Sequence, residues 1–293
     1  NITGDLIAAA SFPAVTARYF RVTPSAKVKL AEALLYATPR ISDWDVKGEH
    51  GFRMGAITKG PDQAPAGAVI DPLKVIDLTA KVDAQGRLDW TAPAGRWTIL
   101  RLGHTPTGKL NVAASDAGRG LEVDKLNIAA VDHQFDSSVG RVVKAAGPMA
   151  GKAFANLEID SYEAGLQNWT PTLLADFEKR NGYSLLPWLP TLTGRIVGDA
   201  GRSDKILFDF RRTLADLMAD NYYGRMQDHA HAAGLRFYTE GYGPGPFDAL
   251  QVSGRAQVPM TEFWSRTPWT DNRTVKMVSS AAHVYGKSVV AAE

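Results

Sequence analysis

Five acidic residues end or follow apolar, strand-like runs, and they are the residues of this sequence best placed to do chemistry. Asp160 and Glu163 follow the run FANLEI, whereas Glu240, Glu262 and Glu293 each follow a later run of the same kind. Because the carboxyl ends of parallel strands share one rim of a barrel, we expect these side chains to converge. The sequence therefore predicts an acidic pocket at that rim.

Such a cluster of carboxyl groups suits the hydrolysis of a glycosidic bond. The reaction needs one protonated carboxyl group to assist the leaving oxygen and one ionised carboxyl group as base or nucleophile. Repulsion within a cluster raises some of the pKa values, which supplies the protonated member. A surplus acid can bind sugar hydroxyls or calcium, which takes only oxygen ligands. The acids are accompanied by aromatic side chains suited to a sugar pocket: Trp169, Tyr238, Tyr242, Phe263 and Trp264.

Other motifs give weaker signals. His229 and His231 are two residues apart in a predicted helix, so their side chains face different directions and a shared metal ion is not expected. His104 either lines the rim or is a structural histidine. The segment GYGPG at 241–245 lacks the lysine of a phosphate-binding loop, and we interpret it as a pocket loop.

The elements that must position the acids alternate between strand and helix after residue 120. Apolar residues at three- and four-residue spacing predict helices over 128–147, 171–181, 203–233 and 271–285, the second of them capped by Thr170. Strands are predicted over 154–160, 235–239, 257–261 and 288–292, with loops at 186–194 and 241–253. This alternation indicates parallel βαβ units, that is, an α/β fold with part of a (β/α)8 TIM-type barrel.

Before residue 120 the pattern is typical of β-structure. Short strand-like pieces cover 18–22, 28–36, 75–78, 88–90 and 97–102, although a helix is the alternative near 30–36. They predict a β-sandwich-like region ahead of the barrel. We therefore expect residues 1–95 to form this appendage and a connector, and residues 96–293 to form the first part of the catalytic barrel. Both termini look cut, so the remaining barrel units are expected beyond Glu293.

The composition excludes several classes of protein. The net charge of +2 arises from 33 basic and 31 acidic residues, and neither sign forms a long block. This balance argues against nucleic-acid and membrane-surface partners. The absence of cysteine excludes disulfides and thiolate metal sites. No apolar run approaches the roughly 18 residues that a membrane span needs.

Several segments, in conserved order along the chain, resemble glycoside hydrolase family 106, the α-L-rhamnosidases. They are PAGRWTILRLGHTPTG at 93–108, DSYEAGLQNWTP at 160–171, FEKRNGY at 177–183, LPTLTG at 189–194 and MTEFW at 260–264. The resemblance implies a (β/α)8 barrel with β-sandwich domains in a large secreted or periplasmic bacterial enzyme. It also implies hydrolysis of terminal α-L-rhamnose with inversion by two glutamates, on a rhamnose-containing oligosaccharide or glycoside.

The resemblance also implies roles for individual residues. Glu163 corresponds to the general acid and Glu293 to the general base, with Asp160 as the alternative acid because it lies on the same turn. An active-site calcium, found in at least part of the family, is expected at Glu262. The expected substrate contacts are Asp160, Glu240, Tyr242 and Trp264.

Three alternatives remain open. The same acids and aromatic residues also suit a carbohydrate-binding protein without catalytic activity, or a glycosidase for a different sugar. A domain that calcium stabilises structurally is a further alternative, and it predicts no sugar binding.

Overall fold

The described part of the chain alternates helices with parallel strands. This computed structural model describes residues 15–23, 27, 29, 33–51, 64–111, 114–263 and 272–293. Its strands are β1 (Val69–Ile70), β2 (Asn156–Ile159), β3 (Ile196–Val197), β4 (Arg236–Glu240), β5 (Val258–Thr261) and β6 (Ala291–Ala292). Its α-helices are α1 (Trp44–Lys47), α2 (Ile128–Ser137), α3 (Val139–Ala146), α4 (Leu173–Asn181), α5 (Ala200–Leu217), α6 (Arg225–Ala232), α7 (Ala249–Arg255) and α8 (Asn272–Val284).

Four of these strands form one parallel sheet in the order β2-β4-β5-β6. Helices separate each strand from the next along the chain, so the predicted βα alternation is confirmed from β2 to β6. The fold class is therefore α/β. Closure into a (β/α)8 barrel stays a prediction.

The strand register puts the acids on one face of this sheet. Glu240 pairs with Met260, and Met260 pairs with Ala291. Paired residues of parallel neighbours face the same side, and side chains alternate along each strand. Asp160 continues β2 opposite Glu240, and Glu293 lies two positions after Ala291. All three acids therefore project from the same face, at the carboxyl ends of their strands.

The opposite face of the sheet packs on helices and forms the core. Phe237 of β4 is fully buried and belongs to one apolar cluster with Leu207, Phe210 and Leu214 of α5. Burying a side chain of this size contributes roughly 1.5–3 kcal/mol. Within the predicted helix over 203–233, α6 packs against β4 of this sheet, whereas α5 packs against β3. No described helix has the combination of length and apolarity that a membrane span requires.

The long helix differs from its prediction in the middle. Residues 203–233 were expected to form one α-helix, whereas a π-helical segment, Met218–Gly224, joins α5 to α6. The helix also begins earlier, because Asp199 caps it by accepting a hydrogen bond from the backbone N–H of Arg202 at 2.7 Å. Gly234, with a φ of 74°, follows the end of α6 as predicted.

Two other helix predictions need correction. The predicted helix over 128–147 is broken at Ser138, where φ is −119° and ψ is −92°, so α2 and α3 are separate. Thr170 is not the cap of α4, because its hydroxyl donates to Asp124 at 2.8 Å and Thr172 takes the cap position. Gly182 ends α4 with a φ of 78°, as its sequence position predicts.

Two predicted loops contain helices, and one strand is shorter than expected. The proline-bearing segment Leu186–Thr193 is a 3₁₀-helix, and α7 occupies the second half of the predicted loop over 241–253. Asp248 begins α7 by accepting two backbone hydrogen bonds, at 2.9 and 3.1 Å. The predicted strand over 288–292 is reduced to β6.

The strands predicted before residue 120 are largely missing from the described residues there. Residues 18–22, 75–78 and 97–102 have no strand partner, and part of 28–36 lies outside the described residues. Within 15–111 the structure has β1, which pairs with β3, and isolated bridges such as Val82 with Leu88. A strand needs a neighbouring strand about 4.8 Å away, whereas Ile99 in the predicted strand over 97–102 is 60% exposed. The β-sandwich-like region and the boundary at residue 95 stay predictions.

Candidate active site

Three of the five predicted acids come together at the carboxyl ends of β2, β4 and β6. Asp160, Glu240 and Glu293 each offer a carboxylate oxygen, and these oxygens all lie within 4.8 Å of one another. We call this group the three-carboxylate cluster. The backbone of Glu293 is fixed there because its N–H donates to the carbonyl of Thr261 at 2.8 Å, which extends the β5–β6 pairing.

Glu240 is the buried member of the cluster, with no exposed surface. Its Oε2 accepts a hydrogen bond from the hydroxyl of Tyr242 at 2.7 Å, whereas its Oε1 is buried without a hydrogen-bond partner. Burial raises the pKa of Glu240 to about 7. The hydrogen bond from Tyr242 opposes this rise in pKa, whereas Asp160 and the charge of Glu262 add to it. Glu240 therefore takes up a proton near neutral pH more readily than an ordinary carboxyl group.

Repulsion from the cluster reaches one further acid on the same face. Burial raises the pKa of Glu158, two residues before Asp160, and the charges of Asp160 and Glu293 raise it further. Asp160 itself accepts a 2.5 Å hydrogen bond from the N–H of Ser161. No lysine or arginine of the described residues forms a salt bridge with the cluster. The site is thus strongly negative when all its members are ionised.

The cluster suits a hard cation. Calcium binds six to eight oxygens at about 2.3–2.6 Å, so oxygens on opposite sides of the ion lie about 5 Å apart. The spacing within 4.8 Å and the unpartnered Oε1 of Glu240 both match that donor set. Glu262, the predicted metal ligand, is not a member of the cluster, although its charge acts on Glu240.

Glu163 lies outside the cluster, on the turn that follows β2. Its side chain is exposed, and it makes no hydrogen bond or ion pair with any residue that the structure describes. A general acid must reach the leaving-group oxygen on one side of the sugar while the base works on the other. An exposed carboxyl group three residues after Asp160 is compatible with that role.

The turn that carries Glu163 is locked to the loop after β4. The N–H of Tyr162 donates to the carbonyl of Tyr242 at 2.9 Å. The rings of Tyr162 and Phe247 pack in a T-shaped arrangement with their centroids 5.4 Å apart. Gly243 has a φ of 122°, and a Cβ there would lie 2.3 Å from the carbonyl oxygen of Tyr162. Glycine is thus required where the two loops cross, which supports the interpretation of 241–245 as a pocket loop.

The other residues that the sequence singled out lie outside the three-carboxylate cluster or outside the described residues. Trp264 lies outside the described residues, so its predicted sugar contact stays a prediction. His104 stacks on Trp169 with ring centroids 6.3 Å apart. His229 bonds to Asp132 at 2.7 Å and stacks on Phe135, which makes it a structural residue between α2 and α6. The sequence does not predict a role for Tyr162, because a tyrosine next to an acidic residue forms no recognisable motif.

Comparison with known proteins identifies the family. The family model for α-L-rhamnosidases, glycoside hydrolase family 106, matches residues 7–293. A Formosa agariphila protein named "Putative beta-glucuronidase" is 44% identical over 257 residues, which cover 87% of this chain and 22% of that protein. The solved structure of a rhamnosidase from a Novosphingobium species matches with a TM-score of 0.73 and 33% identity, over 89% of this chain and 26% of that one. This chain thus spans about a quarter of the length of these relatives. The chain belongs to glycoside hydrolase family 106, the α-L-rhamnosidase family.

Proposed function

We propose that the protein is an inverting glycoside hydrolase that releases terminal α-L-rhamnose from glycans or glycosides. The observation that carries the proposal is the three-carboxylate cluster at the strand ends of a chain in this family. A large secreted or periplasmic enzyme remains the expectation from the family resemblance.

Two glutamates divide the reaction between them in this proposal. The carboxyl group of Glu163 gives its proton to the glycosidic oxygen as the bond from that oxygen to the anomeric carbon breaks. Glu293 accepts a proton from water, whose oxygen bonds to the anomeric carbon from the opposite face. We expect the two carboxyl groups to lie about 6.5–9.5 Å apart in the complex, because the water needs that space, whereas about 5 Å indicates retention. Asp160 is the alternative acid.

The other acids bind the sugar in this proposal. Asp160 and Glu240 accept hydrogen bonds from ring hydroxyls, and the hydroxyl of Tyr242 keeps Glu240 oriented. We also propose calcium as a cofactor held by the cluster, with Glu262 nearby. When bound, calcium would offset part of the negative charge of the cluster and bind sugar hydroxyls. Trp264 is proposed as a stacking surface.

A second candidate is a β-glucuronidase, because the relative that is 44% identical carries that name. A glucuronide has its own carboxylate, which the three-carboxylate cluster repels unless a cation lies between them. No salt bridge from a described lysine or arginine offsets the charge of the cluster. Without a bound cation this charge favours a neutral sugar such as rhamnose, whereas calcium held by the cluster would offset the repulsion.

Hydrolysis by the full-length protein of p-nitrophenyl α-L-rhamnoside, an alkyl α-L-rhamnoside and p-nitrophenyl β-D-glucuronide tests the proposal. We expect activity on both rhamnosides and none on the glucuronide. We expect Glu293→Gln to lower kcat on both rhamnosides by about 10²–10⁴-fold. We expect Glu163→Gln to lower kcat by the same factor on the alkyl rhamnoside. Glu178→Gln, on the exposed side of α4, is the matched control.

Three results would redirect the proposal. Hydrolysis of the glucuronide alone assigns the second candidate, and sugar binding without product release assigns a carbohydrate-binding protein. Nuclear magnetic resonance of the fresh product checks the stereochemistry, because inversion yields the β-anomer first. Undiminished activity of Glu163→Gln on the alkyl α-L-rhamnoside moves the acid role to Asp160. Activity that a chelator abolishes supports a required calcium ion.

A further inference from the structure

The loop that carries Glu163 is held at both ends, and residues 164–169 between them are half-buried. We define residues 160–170, which connect β2 towards α4, as the acid loop. Tyr162 near its start is 4% exposed and Thr170 at its end is 1% exposed, whereas Glu163 is exposed. The position of the Glu163 carboxyl group therefore depends on the residues that hold the two ends.

The first end is held through Tyr162. Its N–H donates to the backbone of Tyr242, and its ring packs against Phe247. On its other side the ammonium group of Lys125 lies 5.8 Å from the ring centroid. Lys125 is 4% exposed and pairs with Glu122 at 2.5 Å, so this cation is fixed.

At the second end, the side-chain amide of Asn168 donates to the backbone carbonyls of Gly48 at 3.3 Å and Glu49 at 3.2 Å. A second anchor of this end is the carboxylate of Asp124. Its Oδ1 accepts a hydrogen bond from the side-chain amide of Gln167 at 2.7 Å, and its Oδ2 accepts one from the hydroxyl of Thr170 at 2.8 Å. The carbonyl oxygen of the Gln167 side chain accepts in turn from the N–H of Lys125 at 3.2 Å. Both oxygens of Asp124 thus bond to the acid loop.

These bonds are well suited to fixing the loop. Hydrogen bonds to an ionised acceptor are shorter and stronger than those between neutral groups. They join parts of the chain that are 43 and 46 residues apart, which no local element connects. Asp124 is not a member of the three-carboxylate cluster, so its influence on the site passes through the acid loop.

We propose that Asp124 is a positioning residue for the candidate general acid: its carboxylate fixes the end of the acid loop and so sets where Glu163 meets the glycosidic oxygen. The inference rests on the proposed function. A displacement of about 1 Å in a catalytic group lowers the rate by about 10²-fold. Loss of the Asp124 bonds therefore impairs protonation of the leaving group and leaves the rest of the site in place.

A pair of substrates separates misplacement of the acid from general damage. Nitrophenolate leaves without much protonation, whereas an alkoxide leaving group depends on the general acid. The ratio of kcat/KM on p-nitrophenyl α-L-rhamnoside to that on an alkyl α-L-rhamnoside therefore reports acid catalysis. Partial unfolding lowers both values equally and leaves the ratio unchanged.

Substitutions at Thr170 and Asp124 in the full-length protein test the inference. Thr170→Val keeps the shape and removes the hydroxyl, whereas Thr170→Ser keeps the hydroxyl. We expect Thr170→Val and Asp124→Asn to raise the substrate ratio about tenfold to hundredfold, and Thr170→Ser to restore the wild-type ratio. Asp132→Asn is the matched control, because Asp132 binds Arg225 between α2 and α6 and has no contact with the acid loop.

Two results contradict the inference about Asp124, and a third contradicts the proposed function. A wild-type ratio in folded Thr170→Val overturns it, even where Asp124→Asn fails to fold. An equal rise of the ratio in Asp132→Asn also overturns it, because the effect then follows from lost stability. A wild-type protein that hydrolyses neither rhamnoside overturns the proposed function itself, and that result appears before any variant is made.

Discussion

The hydroxyl of Tyr242 donates a 2.7 Å hydrogen bond to Glu240, an acid with no exposed surface. Tyr242 is itself held by the N–H of Tyr162, so one residue connects the buried acid to the loop that carries Glu163. The second carboxylate oxygen of Glu240 has no hydrogen-bond partner. The orientation of the carboxyl group thus depends on Tyr242.

Replacing Tyr242 with Phe should destabilise the protein. A buried acceptor that loses its donor costs about 1–3 kcal/mol, and in a domain of 150–250 residues each kcal/mol lowers the melting temperature by about 2–4 °C. Differential scanning fluorimetry above the Glu240 pKa of about 7 measures the change. Tyr238→Phe is the control, because Tyr238 lies on the same strand as Glu240 and a phenylalanine there keeps the ring over which Arg236 lies. An equal melting temperature in Tyr242→Phe and wild type contradicts the assigned bond.

Calcium should stabilise the protein through the three-carboxylate cluster. A ligand at about a hundredfold excess over its Kd adds about 2.7 kcal/mol to the free energy of unfolding. We expect the melting temperature to rise with calcium and to fall with chelator, and Asp160→Asn, Glu240→Gln and Glu293→Gln each to reduce the effect. Glu163→Gln should keep it, because Glu163 lies outside the cluster. Loss of the calcium effect in Glu163→Gln as well, or its absence in wild type, argues against this site.

The strand ends were predictable because burial and topology leave a local signal. The runs before Asp160 and Glu240 are apolar, and a parallel sheet brings the residue after each run to one rim. That reasoning required no knowledge of side-chain contacts. Strand ends alone do not distinguish the members of the three-carboxylate cluster from other acids near the same rim. For that reason the sequence predicts Glu163 and Glu262 in one group with Asp160 and Glu293.

The contacts of Asp124 left no such signal. Hydrogen bonds to residues 43 and 46 positions away have no periodicity, so Thr170 was interpreted as a helix cap, which is a local use of the same hydroxyl. The individual strands predicted before residue 120 are largely missing for a related reason, although the β-sandwich-like region itself stays a prediction. An apolar extended run such as 97–102 indicates a strand only when a partner strand pairs with it, and one segment does not contain that information.

Gly243 should tolerate no side chain, whereas Gly165 should tolerate a methyl group. A Cβ at Gly243 would lie 2.3 Å from the carbonyl oxygen of Tyr162, but none of the surrounding atoms lies within 4 Å of a Cβ at Gly165. Both have positive φ, so Ala at either position costs about 1–2 kcal/mol for backbone strain. We expect Gly243→Ala to lower the melting temperature and rhamnoside hydrolysis well beyond the effect of Gly165→Ala. Equal effects of the two substitutions indicate that the loops do not cross as described.

Asp45 should make the protein less stable as the pH rises. Asp45 is 2% exposed, and its Oδ1 has no hydrogen-bond partner. Burial raises its pKa above the ordinary value of 3.8; backbone hydrogen bonds at Asp45 and Val46 and the nearby His50 oppose this rise, and the charge of Asp43 adds to it. The unfolded chain releases this proton near pH 3.8, whereas the folded protein retains it to a higher pH. Its contribution to stability is thus complete below the unfolded pKa and is lost as the pH rises through the folded pKa.

Replacing Asp45 with Asn removes this titration. Because the neutral amide carries no buried charge, we expect Asp45→Asn to melt at a higher temperature than wild type at neutral pH, with a difference that shrinks towards pH 3.8, the ordinary pKa. Melting temperatures across this range measure the difference. Asp116→Asn is the control, because the side chain of Asp116 is fully exposed and its replacement leaves the difference near zero at every pH. A constant difference between Asp45→Asn and wild type shows that packing, and not the buried charge, determines the effect.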